Sequence, residues 1–204
     1  RSLGEAEHAR RIGLDMIITD HHHPSGELPF AQAVINPKQS RDSYPDKNLA
    51  GVGLAYKLAC GLAETGSIGA TNPPPNEAYL DLVALGTITD LAPLIGENRA
   101  LVRSGLQQIR RPHRQGIMAL MGAAELIPAN VSAGDISFVL GPRLNAAGRL
   151  ESALAAFELL MTQDVKHAAM LAQKLEIQNR ERQEITRQLQ VVAEQLALSS
   201  GGEP

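Results

Sequence analysis

Three consecutive side chains in the run Thr19-Asp20-His21-His22-His23-Pro24, those of Asp20, His21 and His22, place a carboxylate oxygen beside imidazole nitrogens. That donor mixture suits Mn²⁺, Zn²⁺ or Fe, and adjacent histidines on a bend can offer one ring to a metal and the other to whatever the metal holds. From the histidines alone, a surface cluster with no task stands level with metal binding. A second carboxylate shifts that balance. Asp90 lies in Leu85-Gly86-Thr87-Ile88-Thr89-Asp90-Leu91-Ala92-Pro93-Leu94, an apolar setting in which an anion needs a partner or a cation to offset its desolvation. A helix C-terminus disfavours an anion unless positive charge is near, so a divalent cation would satisfy Asp90, with plain exposure to water as the alternative.

Such residues work only if the fold brings them together. Residues 5–13 read as the end of a helix closed by Gly13, and the β-branched run 15–19 reads as a buried strand, so Asp20 falls at the strand end where α/β sheets bind ligands. Ala33-Val34-Ile35, between Pro29 and Asn36-Pro37, reads as a second strand. From Leu49 to Ala63 the apolar spacing is helical, and Ala50-Gly51-Val52-Gly53 puts two glycines in the first turn, which implies close packing there. Residues 66–76, with prolines at 73–75, read as a loop, and a helix over 77–87 leaves Asp90 just beyond its end.

The second half shows no convincing strand. Helical periodicity covers 97–110, 115–122, 132–140 and 152–161, with Ser132 and Asp135 spaced as an N-cap pair. Residues 162–198 contain neither Gly nor Pro and would form a helix of roughly 55 Å, longer than a small domain needs. The expected architecture is therefore α/β: the C-terminal part of a parallel-sheet domain over 1–96, an all-helical module over 97–161, and a long connector helix with a tail over 162–204. The chain starts without Met, in what reads as mid-helix, so it is expected to be a fragment that lacks the beginning of its fold.

With 19 basic and 22 acidic side chains in 204 residues, the net charge is −3, which excludes a nonspecific, charge-driven DNA binder. A hydrophobic share of 44% excludes global disorder. The lone Cys60, the absence of a membrane-spanning apolar run and the lack of a signal-peptide h-region point to a cytoplasmic location. Only residues 101–161 are basic, with six arginines, at 103, 110, 111, 114, 143 and 149, against four carboxylates. Aromatics make up 3% of the chain with no Trp, so any nucleic-acid contact would fall mainly on the backbone.

Asp20-His21-His22 at a strand end resembles the motif that names the DHH phosphoesterase superfamily, and Gly86-Thr87-Ile88-Thr89-Asp90 resembles its later aspartate motif. Tyr44-Pro45, the run Leu49–Leu58 and above all Gly141-Pro142-Arg143-Leu144-Asn145-Ala146-Ala147-Gly148-Arg149-Leu150 are similar to the RecJ branch, the single-strand-specific DNA exonucleases. The resemblance extends over residues 10–190 and implies a two-metal Mn²⁺ or Mg²⁺ site at the C-terminal edge of a parallel sheet, hydrolysing phosphodiesters in DNA repair and recombination. It implies His21 and Asp90 as metal ligands, Asp90 bridging; His22 on the scissile phosphate; and Asp20 as a ligand or an orienting carboxylate. It further implies single-stranded DNA as substrate, a helicase or single-strand-binding protein as candidate partners, and no membrane.

The family also places an Asp-x-Asp motif and a further Asp before the Asp-His-His, and no residue before Asp20 fills those roles, so the chain alone is expected to be inactive. Arg143, Asn145 and Arg149 are the candidates for DNA-backbone contact, because arginine forks grip phosphate. The competing expectation is a packing turn in which the arginines cap carbonyls. The alternatives at the level of function are a DHH phosphodiesterase acting on short oligonucleotides or cyclic dinucleotides, and a catalytically inactive scaffold of the same fold.

Overall fold

The computed structural model describes residues 2–24, 26–65, 76–150 and 153–199, without the side chains of Asn76, Arg149 and Leu150. Of the expected loop over 66–76, residues 66–75 lie outside the described residues, as does the tail from 200, and Asn76 opens a 3₁₀ turn. The chain folds into two compact units that divide between Gln108 and Ile109.

In the first unit, α1 (Leu3–Arg11) leads through a turn at Gly13, whose φ of +72° a side chain would resist, into β1 (Ile17–Thr19). β1 pairs in parallel with β2 (Ala33–Ile35), Thr19 opposite Ile35. The strand is shorter and more open than its apolar run suggests: Ile17 is 63% exposed. Parallel strands are buried when helices or further strands cover both faces, and the described sheet has two strands only.

After β2 come α2 (Gly51–Glu64), a 3₁₀ turn over Asn76–Tyr79, α3 (Leu80–Thr89) and α4 (Gly96–Ile109). α3 buries Leu80, Val83, Ala84, Leu85, Thr87 and Ile88, so nearly its whole circumference is core, as an apolar-all-round helix requires. At about 1.5–3 kcal/mol for each large apolar side chain buried, α3 anchors this unit. α4, which the sequence spacing groups with the later helices, packs here instead. A Cβ at Gly105 would collide with the Leu80 carbonyl and with Ala84, so α4 lies backbone-close on α3.

The second unit holds α5 (Gln115–Ala123), α6 (Ala133–Asp135), a π-helical stretch over Ile136–Leu140, α7 (Gly141–Leu150), α8 (Leu154–Met161) and α9 (Val165–Ser199). Ser132 and Asp135 form the expected capping box: the Asp135 N–H donates to Ser132 Oγ while the Ser132 N–H donates to the Asp135 carboxylate. The Gly141–Leu150 run is helix rather than turn. Pro142 lacks an N–H and its ring would clash with the carbonyl four residues back in a regular helix; the preceding π turn changes that spacing. α9 is as long as its composition implies. Its first half buries one face through Ala168, Leu171, Ala172 and Leu175, against α5, α7 and α8, with Val165, Met170 and Ile177 exposed on the other, and its second half is exposed. Among the described residues no helix is long and apolar enough to cross a membrane.

Candidate metal centre

The end of β1 is fixed by the sheet: the Asp20 N–H donates to the Ile35 carbonyl at 3.1 Å, extending the ladder by one bond. Beyond it the chain bends back on the Asp20 side chain. Asp20 Oδ1 accepts from the His21 N–H at 2.7 Å, the His22 N–H at 3.1 Å and His22 Nδ1 at 2.7 Å. Partial burial pushes this carboxyl up, but the His22 ring and the two backbone N–H groups outweigh it, and the pKa falls to about 2. Asp20 is therefore ionised at neutral pH and can only accept. His22 must then carry a proton on Nδ1, which leaves Nε2 as the ring nitrogen with no bond among the described residues. That ring is 65% exposed.

Asn36, buried at the end of β2, clamps the same bend by donating from Nδ2 to the His22 carbonyl at 2.9 Å, while its Oδ1 accepts from the Lys38 N–H. Its sequence signal was visible only as Asn-Pro ending a strand; the parallel register is what sets it beside Asp20.

Asp90 reaches the bend from the other side of the unit. It is the C-cap of α3, closed by a Schellman arrangement: Leu91 N–H to the Ile88 carbonyl, Ala92 N–H to the Thr87 carbonyl. Asp90 Oδ2 lies 3.6 Å from His21 Nδ1. Two contacts of α2 explain this approach. His21 rests on the first residue of α2, where a Cβ on Gly51 would stand 3.5 Å from its Cδ2; the next residue, Val52, presses on Gly86, where a Cβ would meet Val52 Cγ1 at 2.8 Å. Any side chain at Gly86 would push α3 off α2, and Asp90 lies one turn further along α3. The close packing expected from the glycines of α2 thus falls on His21, but the glycine that permits the helix contact is Gly86.

Asp90 is 44% exposed, so the apolar sequence around it does not impose the desolvation cost expected for it. Leu85 and Ile88 on the helix are buried in the core, whereas Leu91 and Leu94 beyond its end are exposed, as the carboxylate is. What remains is the electrostatic reason: an anion at a helix C-terminus, with His21 facing it.

Metal-binding atoms of Asp20, His21 and His22 lie within 4.8 Å of one another, and Asp90 joins them through His21. A cleft of about 510 Å³ opens beside Asp20 and His22. Two imidazoles and two carboxylates fit a first-row divalent cation such as Mn²⁺, and their two negative charges balance one dication rather than two. His23, exposed, stands apart from the set.

The arginine-rich run belongs to the second unit, and Arg143 there matches the competing expectation of an arginine that caps a carbonyl. Arg143 donates from Nε to Glu176 at 2.6 Å and from NH1 to the Val139 carbonyl at 2.7 Å, and its side chain is 14% exposed. Its guanidinium is thus used within the unit, tying α7 to α9, because a buried arginine needs a carboxylate and α9 supplies one. Asn145 is exposed on α7, and the Arg149 side chain lies outside the described residues. Glu176, which no motif marks, also receives Arg180 Nε at 2.6 Å.

Residues 1–87 match the DHH family, N-terminal domain. The chain is similar to the single-stranded-DNA-specific exonucleases RecJ of Bacillus subtilis, 44% identical over 90% of the chain and 22% of the relative, and of Escherichia coli, 42% identical over 92% and 34%. Among solved structures, RecJ of Thermus thermophilus in complex with Mn²⁺ superposes with a TM-score of 0.79 at 34% identity, covering 92% of this chain and 27% of that one. An exonuclease RecJ bound to manganese gives a TM-score of 0.78 at 34% identity, covering 92% and 46%. The chain spans about a fifth to a third of the curated relatives it matches.

Proposed function

We propose that the polypeptide carrying this chain, whose residues 1–87 match the DHH family, N-terminal domain, is a metal-dependent exonuclease of the RecJ kind, acting on single-stranded DNA. The observation that carries this reading is the approach of Asp90 to His21 at 3.6 Å, which joins two separate sequence motifs in one donor set. His21 and Asp90 would be the residues that hold Mn²⁺ or Mg²⁺ when it is bound. Asp20 serves chiefly as the orienting carboxylate, since its Oδ1 is engaged by three donors. When bound, the metal supplies Lewis-acid activation of a water and neutralises charge on the phosphodiester. Asp20 fixes the His22 ring by Nδ1, so Nε2, which has no hydrogen bond among the described residues, is the atom to meet the scissile phosphate. Contact with the DNA backbone falls to Asn145 and Arg149; Arg143 is withdrawn from it by Glu176.

Digestion of DNA opened by a helicase, or covered by a single-strand-binding protein, in the cytoplasm fits such an enzyme. The test uses the full polypeptide with Mn²⁺ and compares long single-stranded DNA, blunt duplex and short oligonucleotides. The expected result is degradation of the long single strand, sparing of the duplex, and loss of at least about a hundredfold in rate in His22→Ala. Preferential cleavage of short oligonucleotides would overturn the assignment in favour of another DHH phosphodiesterase.

A further inference from the structure

We propose that Asn98 is a positioning residue for the metal centre, setting the separation of Asp90 from His21 without touching either; the inference rests on Asp90 and His21 being metal ligands. Asn98 stands in the first turn of α4 and is 0% exposed. Its Nδ2 donates to the Pro93 carbonyl at 3.0 Å and to the Asn48 carbonyl at 2.7 Å. Pro93 lies in the turn that leaves Asp90, and Asn48 in the segment that enters α2, whose first residue lies against His21. One amide nitrogen therefore joins the backbone that carries one ligand to the backbone that supports the other.

The same two segments are tied a second time. Asp46 accepts the Glu97 N–H on Oδ2 at 2.8 Å and the Asn48 N–H on Oδ1 at 2.8 Å. The Glu97 carboxylate in turn takes the Tyr44 hydroxyl at 2.5 Å and the ammonium of Lys57 from α2. Leu91, immediately after Asp90, is held at φ +56°, a left-handed conformation costly for a leucine that persists only where its surroundings over-determine the chain. The Oδ1 of Asn98 is buried with no hydrogen-bond partner among the described residues. What Asn98 supplies is the fixed geometry of the turn after Asp90. Metal affinity depends steeply on such support, since removing an outer partner of a ligand weakens binding by about 10- to 100-fold.

The experiment titrates the full polypeptide with Mn²⁺, reading free Mn²⁺ by electron paramagnetic resonance, and measures melting temperature alongside. Asp90→Ala tests the underlying reading and should remove the tight Mn²⁺ site; unchanged binding there would sink the metal assignment and the inference with it. Asn98→Ala should raise the Kd for Mn²⁺ about tenfold or more although both ligands remain. Val102→Ala, a cavity in the core one turn further along α4, should lower the melting temperature and leave the Kd where it was. Asp46→Ala, at a partly exposed position, should raise the Kd by a smaller factor and serves if Asn98→Ala does not fold. Equal Kd values for Asn98→Ala, Asp46→Ala and wild type, with Asp90→Ala impaired, would overturn the positioning role while leaving the metal site intact. So would a loss in Val102→Ala matching that in Asn98→Ala.

Discussion

Asp20 and Glu176 are both carboxylates held by two neighbours of potential positive charge or strong donor character, yet they sit in opposite situations. Asp20 is 44% exposed and its partners are the next two residues, so its bonds form within one bend of the chain. Glu176 is 6% exposed and lies between Arg143 from α7 and Arg180 one turn along α9. The open carboxylate stays available to substrate and ion; the buried one is spent on joining helices. Local hydrogen bonding tunes a group for chemistry at little structural cost, whereas a desolvated ion pair holds structure only if neither partner is lost.

The contrast between the two carboxylates breaks first at its buried end. Glu176→Ala leaves Arg143 buried without its carboxylate and should cost about 3–5 kcal/mol, read as a lowered urea midpoint followed by far-ultraviolet circular dichroism. A loss no larger than that of an exposed glutamate would place the pair on the surface instead. Arg143→Ala is milder, because Arg180 still faces Glu176; about 1–3 kcal/mol is expected, with the salt dependence of single-stranded DNA binding by the full polypeptide unaltered. If Arg143 gripped a phosphate, the slope would flatten by roughly 0.7 instead, and the folding would hardly change.

The smallest effect belongs to Asp20. Its pKa of about 2 in the fold lies below the ordinary 3.8, so its contribution to stability is complete above pH 4 and is lost as the pH falls through about 2. Solvent screening at a half-exposed carboxylate reduces that contribution to about 1 kcal/mol or less. Asp20→Asn should therefore be slightly less stable than wild type at pH 6 in urea unfolding, with the gap closing toward pH 2. A gap that persisted at pH 2 would mean the carboxylate charge is not what holds the bend.

Most of the helices could be read from spacing because apolar periodicity and caps such as Ser132-Asp135 act over a few residues. The depth of β1 could not be, since burial of a strand depends on what covers it, and Ile17 in its apolar run is 63% exposed. Asp90 shows the same division: its place at the end of α3 follows from the sequence, but its exposure follows from which side of the helix meets the core. Asn36, Gly86 and Asn98 carry no local signal of their role, because each acts on a residue brought near by another element.

By itself the sequence determined the donor set, the bend that makes Asp20 a partner of His22, and the family likeness, all of which rest on residues within a few positions of one another. Only the tertiary structure decided that Asp90 meets His21, through Val52 seated on Gly86, and that Arg143 turns inward to Glu176. Those outcomes depend on which helix faces pack together. Side-chain volume at a crossing and a carboxylate supplied from a distant helix are quantities that no single stretch of chain encodes.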